Sequence, residues 1–197
     1  ISDSQGPVYT GDTVFGFFSA ESLAQQVGIR QADQYRPPAA EAARGKRFDY
    51  PTEAPFPQAG LRMIDTIDLL VADGGPDQLG FIRGSKRVDP AEWFFAAHFY
   101  QDPVCPGSLG LESMLQLLKV VAFERWGASR ESRFEAIALN ERHHWNYRGQ
   151  IVPANEQVVV EAVVTAVDDA QRLLRAEGYL AVDGRIGRVQ PGGADGD

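Results

Sequence analysis

The sequence predicts an α+β domain in which one long buried helix lies against an antiparallel sheet. Three features carry that expectation. Residues 108–126 hold Leu109, Leu111, Met114, Leu115, Leu117, Leu118, Val121, Ala122 and Phe123, which cover most of a helical circumference, and a helix that is apolar nearly all round is a buried helix. Three long strand-like runs fill the C-terminal third, at 134–149, 156–169 and 171–184. Turn signals separate them, Pro153-Ala154-Asn155 and Asp168-Asp169-Ala170, so the runs are expected to form an antiparallel meander.

The other elements follow in chain order. Thr13 to Val27 has a short amphipathic helical reading, with Phe15, Phe18, Leu23 and Val27 at helical spacing. Gln31 to Asp49 is rich in Pro, Ala and charge and reads as an ordered arm or a linker. Residues 1–50 are therefore assigned to an N-terminal extension or linker, 51–190 to the domain, and 191–197 to a flexible tail or linker. Leu61 to Asp73 partly alternates apolar and polar side chains and predicts a strand. GGPDQLG is a turn, and FIRGSKRVD a short strand or loop. The aromatic segment Glu92 to Tyr100 is extended by propensity. Ser108 is the expected N-cap of the long helix.

Composition narrows the function classes. With 44% hydrophobic and 23% charged residues, the chain is ordinary for a globular protein. No apolar run reaches the roughly 20 residues of a membrane span. The N-terminus lacks the basic patch and apolar stretch of a signal peptide, and the missing initiator Met suggests a segment of a longer polypeptide. A net charge of -8 argues against nonspecific nucleic-acid binding, which depends on Lys and Arg neutralising phosphates. The single cysteine, Cys105, excludes an intrachain disulfide and fits a reducing cytoplasm. One Cys and three His make no Cys-rich zinc site. His143 and His144 are adjacent and on a strand would face opposite ways, so no metal is expected.

The chemistry concentrates in EWFFAAHFYQDPVCPGSLGLESMLQLL, residues 92–118. His98 closes an aromatic run, a Pro/Gly-rich turn follows, and Glu112 stands as a lone acid near the start of the apolar helix. A His near its ordinary pKa acts as a base at neutral pH, and a desolvated carboxylic acid can serve as its partner. The helix dipole favours the charged form of Glu112, while Leu111 and Leu115 favour the neutral one. Backbone N–H groups around Gly107 to Gly110 can polarise a carbonyl oxygen. Spacing alone leaves two readings open: catalytic partners, or a hydrogen-bonded core histidine and a helix-dipole carboxylate. Asp102 competes as the acid, although a residue before Pro in a turn is more often structural. Nothing adjacent marks Cys105 as a nucleophile.

The run WFFAAHFYQDPVCPGSLGLESMLQLL resembles the active-site segment of the β-hydroxyacyl-ACP dehydratase family of the hydroxydecanoyl type. The shared pattern is an aromatic pair, His-Phe, two residues, Asp-Pro-Val-x-Pro-Gly, a small residue, Leu-Gly-Leu and an acid. WNYRGQIVP (Trp145 to Pro153) and FGFFSAESLAQQVGIRQA (Phe15 to Ala32) are similar to the dehydratase domains of polyunsaturated fatty acid synthases and related polyketide synthases. The core of the resemblance covers about residues 55–185.

The resemblance implies a hot-dog fold and dehydration of (3R)-hydroxyacyl chains on acyl carrier protein to trans-2-enoyl products. It assigns the base to His98 and the acid to Glu112, where the branch commonly has Asp. The extra methylene preserves the chemistry and puts the branch's isomerase activity in question. Gly107 matches the glycine whose N–H binds the thioester carbonyl. Val104 matches the residue whose carbonyl orients the His, and Cys105 stands at a pocket-lining position that is often Met. The substrate arrives on a 4'-phosphopantetheine arm, with no metal or redox cofactor. Hot-dog domains of this family pair, with His from one fold and acid from the other, so a homodimer or a second hot-dog domain is expected. Arg142, Arg148, Arg172 and Arg175 would offer a carrier protein a basic patch, or form a solvated strand face. A tethered carrier needs little electrostatic steering. The alternatives are a hot-dog acyl thioesterase, in which the His would be superfluous, and a noncatalytic hot dog that structures a synthase.

Overall fold

The computed structural model describes residues 2–8, 19, 21–22, 28–29, 32–134, 137–138 and 143–191, with 185–191 as backbone. The amphipathic reading at Thr13 to Val27 falls almost entirely outside these residues, as does most of Phe15 to Ala32. Seven strands form one antiparallel sheet: β1 (Lys46–Asp49), β2 (Thr66–Val71), β3 (Phe81–Arg87), β4 (His143–Asn146), β5 (Gln157–Asp168), β6 (Leu173–Val182) and β7 (Arg185–Pro191). Their order across the sheet is β1-β2-β3-β5-β6-β7-β4. Among the described residues the accompanying α-helices are α1 (Ala39–Ala42), α2 (Trp93–Ala97) and α3 (Gly107–Trp126).

Period-two burial explains how the sheet holds α3. On β5, Val158, Val160, Ala162 and Val164 join the main core, while Val163 belongs to a second cluster. On β3 the pair divides as Ile82 inward and Phe81 outward. On β2 both Ile67 and Leu70 reach the main core because the register shifts between Ile67 and Leu69, a bulge that re-aims the strand. Against this inner face α3 buries Met114, Leu117, Val120 and Val121. Burial of a side chain such as Leu117, which is inaccessible to solvent, stabilises by about 1.5–3 kcal/mol. The helix settles close to β3 because Gly84 has no side chain. A Cβ there would come within 2.9 Å of Leu117 Cδ2 and Ile64 Cγ2.

Several expectations need correction. Glu92 to Tyr100 is not extended: Trp93–Ala97 is helical, and Phe94 and Phe95 are buried. Core packing of that aromatic pair overrides local β propensity. Ser108 is not the N-cap of α3; Pro106 holds that position without a side-chain cap, and Ser108 lies within the helix. The three C-terminal runs are not sequential neighbours in a meander. Only β5 and β6 are, joined where Asp168 Oδ1 accepts from the Ala170 and Gln171 amides. The first run contributes β4, which pairs with β7 at the far edge of the sheet. FIRGSKRVD supplies an internal strand, β3, paired on both sides. The turn at 153–155 is present, with Asn155 Oδ1 accepting from the Val152 amide at 2.7 Å.

Candidate active site

His98 is held by its own loop. It leaves α2 in an extended conformation while its amide still donates to the Phe94 carbonyl at 2.9 Å. Phe99 and Asp102 then exchange backbone hydrogen bonds of 3.1 and 3.2 Å, closing a tight turn through Gln101 at φ 58°. That turn brings Val104 back to His98. The Val104 amide donates to the His98 carbonyl at 2.8 Å, and His98 Nδ1 lies 3.0 Å from the Val104 carbonyl. A carbonyl only accepts, so Nδ1 carries a proton, and in the neutral imidazole the unprotonated nitrogen is then Nε2. The Phe99 ring, itself exposed, stacks 3.8 Å from the imidazole. Asp102 contributes its backbone to the turn, and its side chain is exposed.

The chain then enters α3. The Cys105 amide donates to the Ile151 carbonyl at 2.8 Å, and the helix begins at Gly107, where first-turn N–H groups have no partner within the helix. Trp145 and Tyr147 cover this point. A Cβ on residue 107 would stand 3.3 Å from Trp145 Cζ2 and 3.6 Å from Tyr147 Cε2, so glycine permits the close approach. Cys105 is buried, and burial raises its thiol to about 12, assisted by the Glu92 carboxylate and opposed by Lys86. A neutral thiol of this kind is a wall residue rather than a nucleophile. It lines a partly open pocket together with Phe94, Phe95, Leu109, Gly110 and Ser113.

Glu112 sits in the second turn of α3, just beyond the first. Its Oε1 accepts from Gln116 Nε2 at 3.0 Å and from Lys119 Nζ at 3.1 Å. Gln116 is fully buried and satisfied at both ends. Its Nε2 also donates to the Leu61 carbonyl at 2.7 Å, and its Oε1 accepts from the Met63 amide at 2.8 Å. The segment before Met63 is tied to the histidine side as well, since Trp93 Nε1 donates to the Gly60 carbonyl at 2.7 Å. Tyr50 donates to the Gln116 backbone carbonyl at 3.2 Å. Burial pushes its phenol well above the usual range, the Glu112 carboxylate adds to the rise, and Arg62 opposes it.

Among the described residues, no hydrogen bond or ion pair joins His98 to Glu112. Neither side chain lines the pocket. The chain brings His98 together with Val104, and gathers Cys105 and Gly107 at the entry to α3; Glu112 belongs to a separate network.

The family model described as FabA-like domain matches residues 56–187. The chain belongs to the FabA-like domain family. Its fold is accordingly the hot-dog fold, with α3 wrapped by the antiparallel sheet. It is 33% identical over 200 aligned positions to a polyunsaturated fatty acid synthase polypeptide of Thraustochytrium sp.. That match covers 89% of this chain and 13% of the relative, so the chain spans about an eighth of that protein's length. Among solved structures, the dehydratase heterocomplex ApeI:P from Xenorhabdus doucetiae aligns with a TM-score of 0.46 and 14% identity, covering 69% of this chain and 87% of that one.

Two members of the Glu112 network in this FabA-like domain escaped the sequence reading, Gln116 and Lys119. The signal was available: residues 112, 116 and 119 are polar positions in a largely apolar stretch, spaced i, i+4, i+7 on one helical face. Trp93 was seen only as part of an aromatic run, and its bond to Gly60 had no local signal. Of the arginines considered as a basic patch, Arg142 lies outside the described residues. Arg148 follows β4, Arg172 lies in the β5–β6 turn, and Arg175 is on β6. No helix is long and apolar enough to cross a membrane among the described residues.

Proposed function

We propose that this FabA-like domain dehydrates (3R)-hydroxyacyl thioesters carried on acyl carrier protein, giving trans-2-enoyl products within a fatty acid or polyketide synthase. The observation that carries the reading is the His98–Val104 hydrogen bond of 3.0 Å, which leaves Nε2 as a basic lone pair on a ring fixed by its own loop. His98 Nε2 removes a C2 proton, and the C2–H electron pair becomes the C2–C3 double bond. The C3–O bond breaks, and the hydroxyl leaves as water with a proton from Glu112. The N–H at Gly107 supports the thioester carbonyl as charge develops on it. Proton return from His98 to Glu112 through solvent closes the cycle. The reading calls for no metal or redox cofactor, only the phosphopantetheine arm that carries the substrate.

His98 and Glu112 share no hydrogen bond among the described residues, and in this reading the working site is shared with a second hot-dog domain. That partner is either another copy or a neighbour in the parent polypeptide. Strand β4, at the edge of the described sheet, and the exposed rings of Phe99 and Tyr100 give it a surface beside the histidine loop.

The test is incubation of the purified domain with a 3-hydroxyacyl pantetheine thioester, followed by mass spectrometry. Loss of water from the wild type, with His98→Ala reduced by about 10²–10⁴-fold, is the expected result. Release of free acid instead would establish a thioesterase. A folded and paired wild type that does neither would leave only the structural role.

A further inference from the structure

We infer that Lys119 is a positioning residue for Glu112, fixing the longer carboxyl side chain from two helical turns away through a hydrogen bond from its ammonium to Oε1. The inference rests on the dehydratase reading above and deepens it.

Seven residues of α-helix rise about 10.5 Å, and side chains lean toward the helix N-terminus. A lysine at position 119 can therefore reach back along the face that carries residue 112, and it does so: Nζ lies 3.1 Å from Glu112 Oε1. The Lys119 side chain is 16% exposed and that of Glu112 is 23% exposed. This is not a freely solvated surface pair, the kind worth almost nothing. Holding the lysine in one geometry gives up rotamer freedom, which the contact with Oε1 offsets. Arg62 does not share that role. Its Nε is buried without a hydrogen-bond partner, and no ion pair joins it to Glu112 among the described residues.

The division of labour at the carboxylate is specific. Gln116 and Lys119 both donate to Oε1, and no described residue donates to Oε2. Two donors on Oε1 fix the rotation of the carboxyl plane and leave Oε2 to carry the proton that goes to the substrate hydroxyl. Glutamate has one more rotatable bond than aspartate, so a single donor on Oε1 leaves its plane free to swing. Lys119 supplies the second restraint. An aspartate at 112 would be too short to use it.

The experiment measures kcat and KM for dehydration by wild type, Lys119→Met, Lys119→Arg, Glu112→Asp and the Glu112→Asp/Lys119→Met double variant. Circular dichroism and thermal unfolding accompany each protein. Lys119→Met is expected to lower kcat about tenfold with KM within about twofold, because the lost geometry acts at the reacting centre. Lys119→Arg should restore most of that rate. In the Glu112→Asp background, Lys119→Met should change kcat by less than about twofold, the non-additivity expected of two residues acting as one unit. A folded Lys119→Met with kcat within about twofold of wild type overturns the inference, as does a rate loss that arginine leaves unrescued. Should Lys119→Met fail to fold, Lys119→Gln takes its place under the same criteria. A wild type that performs no dehydration removes the dehydratase reading and this inference together. An active wild type with an indifferent Lys119 removes this inference alone.

Discussion

The two faces of the sheet are covered in different ways, and the contrast separates what holds the domain together from what arranges its chemistry. The inner face receives α3, whose Leu117 and Val120 are almost wholly inaccessible, and whose buried polar side chains are Ser113, bonded to the Gly110 carbonyl, and Gln116 of the Glu112 network. The outer face is covered by extended chain and the single turn of α1 rather than by a long helix. Residues 32–45 run across it, with Tyr35 packed 5.8 Å from the Phe81 ring and Ala42 beside the cluster of Leu69, Val71 and Val163. Polar side chains pin that segment. Tyr179 donates to the Asp33 carbonyl at 2.6 Å, Gln34 donates to Glu161, and Tyr35 donates to Glu41 at 2.7 Å. Glu161 is buried and also accepts from Arg83. A long helix brings its backbone hydrogen bonds with it, whereas an extended cover has to find partners on the surface it covers. That difference explains why the outer face holds a buried carboxylate with no place in the proposed chemistry.

Breaking the inner face should give the largest effect. Leu117→Ala removes the residue that touches β3 at Gly84 and is expected to cost about 3–5 kcal/mol in urea unfolding. It should also reduce turnover, because Gln116 and Glu112 ride on the same helix. A loss below about 1 kcal/mol would mean that α3 repacks freely on the sheet.

Breaking the outer face should separate stability from activity. Glu161→Ala strands Arg83 and Gln34 and is expected to cost about 3 kcal/mol, with kcat per folded molecule unchanged within about twofold. Activity lost in step with stability, at full folding, would show that the faces are coupled and that the 32–45 cover reaches the site.

These two faces also mark how far the sequence could be read. The long apolar run of α3 made the buried helix legible, and one contiguous motif contains both the His98–Val104 contact and the start of α3 at Gly107. The assignment of strand faces was not legible. QVVVEAVVTAVD, the whole of β5, is buried without a break from Val160 to Val164, with Val163 in the outer cluster and its neighbours in the main core, and a run buried on two faces weakens the alternation that reveals orientation. The aromatic α2 was misread for a related reason: its helix comes from core packing rather than local preference. His98 and Val104 lie six positions apart, within reach of a motif. Gln116 meets Leu61 and Met63 across more than fifty positions, a pairing that only the folded chain displays.

A smaller effect sharpens the outer-face account. Tyr179→Phe deletes only the hydroxyl that donates to Asp33, so it should cost about 1 kcal/mol. It should also speed proteolysis between residues 32 and 45 relative to wild type. Equal cleavage in the two proteins would locate the hold on this segment at Gln34 and Tyr35 instead.

The smallest effect concerns a tie outside both faces. Asp169, in the β5–β6 turn, accepts from Arg125 Nε and a guanidinium nitrogen at 2.8 and 2.9 Å and from Trp126 Nε1 at 2.8 Å. Those bonds, with Arg125 foremost, lower its carboxyl to about 2 from an ordinary 3.8. A carboxylate depressed in the folded state binds its proton more readily once unfolded. The stability it contributes is therefore fully present above the ordinary value and is lost as pH falls from about 4 toward 2. The group is exposed, so the contribution is small and sensitive to salt. Asp169→Asn should lower Tm slightly at pH 7, and the gap from wild type should close over that acid window. A gap that stayed constant to pH 2 would assign the tie to neutral hydrogen bonding. The charge on Asp169 would then play no part in fastening the end of α3 to the β5–β6 turn.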